Sequence, residues 1–336
     1  MDPLTHAALG ASICALVAPR ERRRLALLLG AAVAVLPDLD YVALMMEPDP
    51  VMQVTRHRSA THSLLVLPIA GALLWWLAGL RWRAVREASW RWLAAIELAL
   101  LSHPLLDSAT VYGTQLFWPI ERPPVMLGNI FIIDPAFTVP LLLGALLAWR
   151  GAPRIGAGTR PLAFGLAVAA AYFSWTLLAQ HQLEGAVRAE LESRHLKNSN
   201  VLVTPSPLNS VLWRVLVSDD EGYASGYYSY WWHEGRLALQ PAAREVALER
   251  ELREDPSVRR LDWFTRGYGA IAEDAQHRIV YTDLRMALEP DYTFRYVVAD
   301  RKDGRLVPRQ PPEQLPWPEV SREKLATLWR RIFAPG

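Results

Sequence analysis

The chain has 336 residues, of which 51% are hydrophobic and 14 are tryptophans, and its mean hydropathy is +0.08. These values are high for a soluble protein and the apolar residues are concentrated toward the N-terminal half, so the composition predicts a membrane protein with an attached soluble part. The formal net charge of +2 gives no reason to expect nucleic acid as a partner, and the single cysteine, Cys14, excludes an intramolecular disulfide and any CxxC zinc motif.

Apolar segments dominate the first 180 residues. They cover residues 4–18, 25–46, 64–80, 92–106, 131–149 and 162–179. Several are shorter than the roughly 20 residues that a perpendicular helix needs to cross a bilayer, and the first is the least able to span it fully. We therefore expect residues 1–182 to form a polytopic α-helical membrane domain of about five to six segments.

The distribution of arginine predicts the orientation of these segments. The first, third and fifth connections carry most of the arginines, whereas the second and fourth carry only Arg56, Arg58 and Arg122. Positively charged connections normally stay in the cytoplasm. We expect both termini, and with them the C-terminal domain, on the extracytoplasmic side of a bacterial inner membrane.

Residues 183–336 have a different pattern. Period-two alternation predicts strands at residues 200–204, 211–218, 226–232, 261–272, 278–286 and 294–299, and helical periodicity predicts helices at 242–254 and 322–333. Turn sequences between these stretches favour antiparallel pairing. The pattern predicts a soluble α+β domain with an antiparallel sheet.

A histidine and an aspartate share one helical face near the end of the fourth apolar segment. His103 and Asp107 are four residues apart, a spacing that stacks two side chains on the same side of a helix. They can meet one metal ion or two adjacent ions. A buried hydrogen bond between the two side chains is the alternative.

Two carboxylates follow Pro37 at the end of the second segment. Asp38 and Asp40 point to different faces of a helix, but they converge if the chain is extended after the proline. One of them can bind a metal while the other orients a histidine or accepts a proton. A helix-end turn capped by an aspartate is the alternative.

The third segment is preceded by His57 and His62, with Arg56 and Arg58 on either side of His57. The histidines are five residues apart and cannot share one face of a regular helix, so we place His57 in a loop and His62 in the first helical turn. The alternative to a metal ligand is, for each of them, a histidine at the surface or in an ordinary hydrogen bond. The arginines suit an anionic substrate, since one guanidinium can bind two phosphate oxygens. A contact with a lipid headgroup is the alternative.

The first and fifth segments also begin with polar side chains, His6 and Asp134. Asp134 precedes Pro135 and is alternatively a helix N-cap. The joint pattern is more informative than any single residue, because five segments bring His or Asp to the same predicted side of the membrane. Buried ionisable groups in membrane segments are usually functional.

Histidine and carboxylate ligands without a thiolate favour a divalent metal, above all zinc, although iron, manganese and nickel bind similar groups. We predict one to three ions held by a set of seven candidate ligands: His6, Asp38, His57, His62, His103, Asp107 and Asp134. Hydrolysis is the reaction that such an ion favours.

Several motifs together resemble a known family. They are DPLTHAALG at residues 2–10, LPDLD at 36–40, RHR at 56–58, THS at 61–63 and LSHPLLD at 101–107. This combination resembles the YdjM-like, LexA-regulated inner-membrane proteins, which are described as metal-dependent hydrolases, over roughly residues 1–150. The HxxxD motif is also distantly similar to zinc-dependent phospholipases C and P1-type nucleases, which implies phosphoester cleavage.

Two functions remain open at this point. The first is a membrane-bound hydrolase that acts on a phosphoester or other ester of an amphiphilic, lipid-like substrate at the outer membrane face. In this hydrolase Arg56 or Arg58 binds the anionic group of the substrate, and Asp38 or Asp40 accepts a proton. The second is a non-catalytic membrane protein with a structural metal site, whose outer domain binds a partner.

Overall fold

The computed structural model describes residues 1–151, 158–193, 199–230, 238–319 and 321–333. Contacts among residues divide the chain into two compact units. The first unit comprises residues 1–41, 58–178 and 207–209, and the second comprises 42–57, 179–206 and 210–336. Residues 42–57 thus belong with the C-terminal unit, whereas the sequence analysis placed them in the membrane domain.

The N-terminal part of the described chain is helical. Its helices are α1 (Pro3–Val17), α2 (Arg23–Val35), α3 (Asp40–Leu44), α4 (Pro50–Arg56), α5 (Leu67–Arg81), α6 (Arg83–Glu87), α7 (Ser89–Asp107), α8 (Pro135–Gly151) and α9 (Thr159–Ser193). A short 3-10 turn at Pro37–Leu39 interrupts the second apolar segment, and another at Ala60–His62 precedes the third. These two turns carry candidate metal ligands.

Helices α1 and α2 pack closely through glycines. A Cβ atom added to Gly10 would lie 2.6 Å from the carbonyl oxygen of Gly30, so only glycine permits this backbone approach. The core around the crossing contains small and large apolar side chains from α1, α2, α5 and α7, including Cys14, Trp92 and Leu100. The crossing fixes the end of α2, from which the chain turns toward Asp38.

The expectation of five to six membrane-spanning segments is wrong. Among the described residues one helix, Thr159–Glu192, is long and apolar enough to cross a membrane. The number rises to three if two bent pairs each form one span: Arg20–Val35 with Pro37–Leu44, bent by 41°, and Pro50–His62 with Leu67–Arg81, bent by 62°.

The physical reason is helix length. The apolar helices α1 and α8 have 15 and 17 residues, and at 1.5 Å per residue they reach only about 22 to 26 Å, less than the ~30 Å hydrocarbon core. Helix α7 has 19 residues but carries Arg91, Glu97 and Asp107. The extracytoplasmic position of the C-terminal domain stays a prediction.

The second unit contains two four-stranded antiparallel sheets, which agrees with the predicted antiparallel pairing. One has the order β1 (Asn200–Pro205), β2 (Leu212–Ser218), β3 (Gly222–Ser229), β4 (Gln240–Ala243). The other has the order β10 (Arg305–Gln314), β9 (Arg295–Lys302), β6 (Arg278–Asp283), β5 (Gly269–Glu273). A short pair, β7 (Ala287–Leu288) and β8 (Asp291–Tyr292), follows β6.

Helices cover these sheets. Side chains from the C-terminal part of α9, such as Leu183 and Val187, pack with Trp213 and Val215 of the first sheet. Helices α10 (Val246–Leu252) and α11 (Pro256–Thr265) pack with the second sheet, and α12 (Arg322–Phe333) packs near β2 and β3.

Several predicted boundaries in this region were wrong. Residues 261–265, predicted as strand, belong to α11, because Asp255 caps this helix by accepting hydrogen bonds from Ser257 and Val258. The predicted helix at 242–254 is shorter and follows β4. The predicted strand at 226–232 ends at Ser229, and residues 231–232 lie outside the described part of the chain.

Candidate metal centre

Four of the predicted ligands lie together in the first unit: Asp38, His62, His103 and Asp107. One ligand atom from each residue lies within 4.8 Å of the others. Helix α7 brings His103 and Asp107 to the group from one face, as their spacing predicted. Asp38 and His62 come from the two 3-10 turns, which end regular helical structure where a ligand must turn inward.

The distances within this group suit one tetrahedral ion. Nε2 of His62 lies 3.0 Å from Nε2 of His103, and each of these nitrogens lies 3.3 to 3.4 Å from an oxygen of Asp38 and an oxygen of Asp107. A tetrahedral zinc ion bound at 2.0–2.1 Å separates its ligand atoms by about 3.3 to 3.4 Å. The four histidine–carboxylate distances therefore match a zinc-sized site, and the His62–His103 distance is slightly shorter.

The hydrogen-bond partner of His103 fixes which nitrogen faces the group. Its Nδ1 lies 2.6 Å from the carbonyl oxygen of Ala34 near the end of α2. A carbonyl only accepts hydrogen bonds, so Nδ1 carries the proton and donates it. In a neutral imidazole Nε2 is then an acceptor, as a metal ligand must be.

His62 is oriented by the Thr61 hydroxyl, which is itself held by the Asp40 carboxylate. Thr61 Oγ1 donates to Asp40 Oδ2 at 3.0 Å and lies 3.0 Å from Nδ1 of His62. The hydroxyl gives its hydrogen to Asp40, so it accepts from Nδ1 of His62. Asp40 thus supports a ligand without being one of the four, and Nε2 of His62 is an acceptor.

With both imidazoles neutral and carrying their hydrogen on Nδ1, four acceptor atoms meet in this group. Asp107 Oδ2 is buried and receives no hydrogen bond from any described residue, although both histidine Nε2 atoms lie 3.3 Å from it. Lone pairs this close repel each other unless a cation lies between them. The residues therefore fit a bound divalent ion.

Arg58 provides the nearest positive side chain. Its Nε lies 3.1 Å from Asp107 Oδ2, and its Nη1 donates to Thr110 Oγ1 at 3.1 Å. Its guanidinium also lies over the Tyr112 ring, 4.8 Å from the centroid. Burial disfavours the Asp107 carboxylate, but the charges of Arg58 and the Met1 amino group outweigh it and hold the pKa of Asp107 well below its usual value. Asp107 is therefore ionised.

The backbone of Arg58 is held in an uncommon conformation. Its φ is +61°, in the left-handed region that non-glycine residues seldom adopt. Its amide donates to Asp40 Oδ2 at 3.1 Å, and its carbonyl accepts from Gln115 at 3.0 Å. Arg58 therefore links Asp40 through its backbone to Asp107 through its side chain.

His6 lies beside the four ligands. Its ring stacks on His103 with centroids 3.6 Å apart, and its Nε2 lies 3.1 Å from Asp107 Oδ1. Its Nδ1 is buried without a hydrogen-bond partner among the described residues. His6 thus contacts the carboxylate oxygen that faces away from the group.

The remaining predicted residues occupy other positions. Asp134 caps α8, accepting hydrogen bonds from Ala136 at 3.0 Å and from the Tyr172 hydroxyl at 2.8 Å. His57 follows α4 and belongs to the second unit. Arg56, also in the second unit, is half-exposed and paired with Glu47 at 2.8 Å.

Sequence reasoning missed the residues that support the ligands. Thr61 stands next to His62, so its hydroxyl was a readable signal. Thr110 and Tyr112 follow Asp107 in the chain after α7 has ended. Their positions in the sequence gave no reason to connect them with the metal ligands. The Ala34 carbonyl has no sequence signal, because any residue offers a backbone oxygen.

One side of the group is open. The Asp38 side chain is 21% exposed, whereas those of His62, His103 and Asp107 are fully buried. Leu39, which follows Asp38 in the chain, is 57% exposed. Solvent therefore reaches the group beside Asp38, close to apolar surface.

Comparison with known proteins agrees with the resemblance. The profile of the YdjM inner membrane protein family matches residues 1–183, more than half of the chain and all of the metal-ligand group. No curated protein and no solved structure matches the chain, so the distant likeness to phospholipases C and P1-type nucleases gains no support. The chain belongs to the YdjM inner membrane protein family.

Proposed function

We propose that this protein is a metal-dependent hydrolase of the inner membrane that cleaves a phosphoester or other ester of an amphiphilic, lipid-like substrate. The observation that carries the proposal is the meeting of four acceptor atoms, from Asp38, His62, His103 and Asp107, at distances that suit a tetrahedral divalent ion. A bound divalent ion lowers the pKa of its water and polarises a phosphoryl or carbonyl oxygen.

The chain's own residues divide the remaining tasks. His62 and His103 are held with Nε2 inward by Thr61 and the Ala34 carbonyl. Asp38 is the ligand that solvent reaches, so its carboxylate is the group placed to accept a proton from water. Arg58 holds Asp107 in place.

An amphiphilic substrate is supported by the surroundings of Asp38. Leu39, next to Asp38 in the chain, presents an exposed apolar side chain, and the family is one of membrane proteins. A polar ester group can reach the ion while an acyl chain stays against apolar surface. Membrane lipids are the corresponding partners.

A non-catalytic protein with a structural metal is the second candidate. Four protein ligands are the number that closes a structural zinc site, whereas catalytic sites usually keep one position for water. The count of four favours this candidate, and the exposure of Asp38 favours the hydrolase. The two functions differ in what the loss of Asp38 does.

Turnover by the metal-loaded chain in lipid nanodiscs tests the proposal. The substrates are bis-p-nitrophenyl phosphate, p-nitrophenyl butyrate and a phospholipid. We expect turnover of at least one, lost in Asp38→Asn even at a zinc concentration high enough to load the remaining three ligands, and unchanged in the control His181→Ala, whose histidine is exposed on α9. A fully metal-loaded native chain that hydrolyses none of them contradicts the hydrolase and supports the structural site.

A further inference from the structure

The connection between α7 and α8 exposes large apolar side chains on a fixed loop. Phe117, Trp118 and Ile120 are 42%, 39% and 54% exposed. Backbone hydrogen bonds between Thr114 and Val125, at 2.9 and 2.8 Å, close the loop at its base. Contiguous exposed apolar surface on an ordered loop marks an interaction site.

The loop is attached to the metal centre by three hydrogen bonds. The Gln115 amide donates to the carbonyl of Arg58 at 3.0 Å, and the Leu64 amide donates to the carbonyl of Leu116 at 2.9 Å. The Ser63 hydroxyl donates to the carbonyl of Trp118 at 2.7 Å. Because Ser63 follows His62, the position of the loop determines the position of the centre.

The apolar surface of the loop continues onto helix α5. Leu65 is 52% exposed at the point where the loop joins the chain that leads into this helix. Ile69, Leu73, Trp76 and Leu80 are 75%, 54%, 54% and 63% exposed and lie on one face of α5. Helix α5 forms half of a bent pair that is long and apolar enough to cross a membrane.

We propose that residues 117–120 and Leu65 lie in the interfacial layer of the bilayer and hold the metal centre at the depth of the phospholipid headgroups. Irregular backbone is not tolerated against hydrocarbon, which keeps the loop out of the acyl-chain region. Tryptophan is typical of the interface, and the exposed Arg122, which follows the exposed Glu121, suits a phosphate. The face of α5 then contacts acyl chains.

This position gives the proposed hydrolase its substrate class. A centre at headgroup depth meets the phosphoester or ester linkage of a lipid whose chains remain in the bilayer. That consequence rests on the proposed function, whereas the position of the loop rests on its exposure, its hydrogen bonds and its continuity with α5.

Fluorescence quenching in the full chain tests the position of the loop. The chain is placed in nanodiscs of phosphatidylethanolamine and phosphatidylglycerol, with bimane on Phe117→Cys, Ile120→Cys, Leu73→Cys or Glu254→Cys. The native Cys14 is fully buried and gives the background. Glu254, whose side chain is 86% exposed in the second unit, is the aqueous control. The quenchers are lipid nitroxides at headgroup or mid-chain depth and aqueous iodide.

We expect headgroup nitroxide to quench the probes at 117 and 120 most, mid-chain nitroxide to quench the probe at 73 most, and iodide alone to quench the probe at 254. Quenching of 117 and 120 by iodide without lipid quenching overturns the proposal. Protection from both kinds of quencher also overturns it, because a second copy or another protein then covers the loop. Metal content is measured in each variant, and the quenching does not depend on turnover, so failure of the hydrolase proposal remains distinguishable.

Discussion

Thr61 is a small side chain on which the proposed ligand role of His62 depends. Its hydroxyl passes a hydrogen to Asp40 and accepts one from His62, so it determines the tautomer of that histidine. Partners of this kind commonly change metal affinity by about 10- to 100-fold. Thr61 and His62 are neighbours in the chain, so a two-residue motif contains both the ligand and the hydroxyl that orients it.

The first prediction follows from this arrangement. Thr61→Val keeps the shape of the side chain but removes the hydroxyl, and we expect zinc affinity to fall about 10- to 100-fold. Thr61→Ser retains the hydroxyl and should bind zinc nearly as the native chain does. Competition against a chromophoric chelator measures both affinities, and equal affinities for the two variants would show that the hydroxyl does not orient His62.

Arg58 provides a second prediction at this scale. Arg58→Met leaves Asp107 without its nearest side-chain cation, and removing one partner of a buried ion pair destabilises a protein by about 3 kcal/mol or more. We expect this loss in the metal-free protein and a smaller loss with zinc, because the ion restores positive charge beside Asp107. We therefore expect zinc to raise the Tm of Arg58→Met by more than it raises the Tm of the native chain.

The control for this experiment is Arg58→Lys, which keeps the charge but not the planar guanidinium. It should show a zinc-induced rise in Tm closer to the native one. Equal destabilisation of the metal-free and zinc-bound forms by Arg58→Met would contradict the pairing of Arg58 with Asp107.

At the scale of elements, the crossing of α1 and α2 supports the centre. Gly10 and Gly30 let the two helices approach, and Ala34, one turn beyond Gly30, offers the carbonyl that orients His103. A change in helix spacing therefore reaches a metal ligand through one backbone oxygen. This coupling was not predictable from the sequence, since it depends on a backbone atom and on how two helices pack.

Gly10→Ala tests the crossing. The added Cβ would lie 2.6 Å from the Gly30 carbonyl oxygen, so the helices must separate, and overpacking of this kind costs about 1 to 3 kcal/mol. We expect a lower Tm and weaker zinc binding. Gly185→Ala on α9, where a Cβ meets nothing within 4 Å, should instead leave zinc binding unchanged and slightly raise Tm. Similar behaviour of the two variants would contradict the close crossing.

An ion pair between β2 and the turn that joins β7 to β8 makes stability depend on pH. Arg214 on β2 donates to Glu289 at 2.6 Å, and the Tyr227 hydroxyl on β3 donates to Glu289 at 2.7 Å. Burial alone would raise the pKa of Glu289, but the charge of Arg214 and these hydrogen bonds outweigh it and lower the pKa below 4.5. The stabilisation is therefore present above pH 4.5 and is lost as pH falls through the folded pKa.

Glu289→Gln should consequently lower stability by about 2 kcal/mol at pH 7, since hydrogen bonds to a charged group are lost. The difference in Tm between the native chain and the variant should shrink as pH falls from 7 toward 3. Thermal denaturation across this range measures it. A difference that stays constant with pH would show that the carboxylate charge contributes nothing.

Sequence patterns predicted some elements better than others. Sequence alternation and turn signals identified the central strands β2, β6 and β9, although burial does not alternate along them and all seven residues of β2 are buried. It assigned part of α11 to a strand, because a short apolar run has the same composition in both structures and the capping role of Asp255 decides between them. The sequence already indicated that the first apolar segment is too short to span fully, but it did not show that the helix in the fifth segment begins only at Pro135.

At the scale of the whole molecule, the chain joins a membrane-family helical unit to a unit of antiparallel sheets. The residue types and their positions at segment ends predicted a His and Asp cluster, and the structure brings four of the seven candidates together. His6 lies beside them, stacked on His103, whereas the positions of His57 and Asp134 depend on how loops and helix ends are placed, as the capping of α8 by Asp134 illustrates. Ligand types could be read from the sequence, but the exact ligand set required the fold.

Elemental analysis of the purified chain tests the central claim most directly, namely that Asp38, His62, His103 and Asp107 hold a divalent ion. The native chain and the control His181→Ala should each retain at least one ion, most simply zinc, after extensive washing. His62→Ala and His103→Ala should lose it. Equal metal content in all four proteins, or none in a native chain incubated with Zn²⁺, would contradict the account.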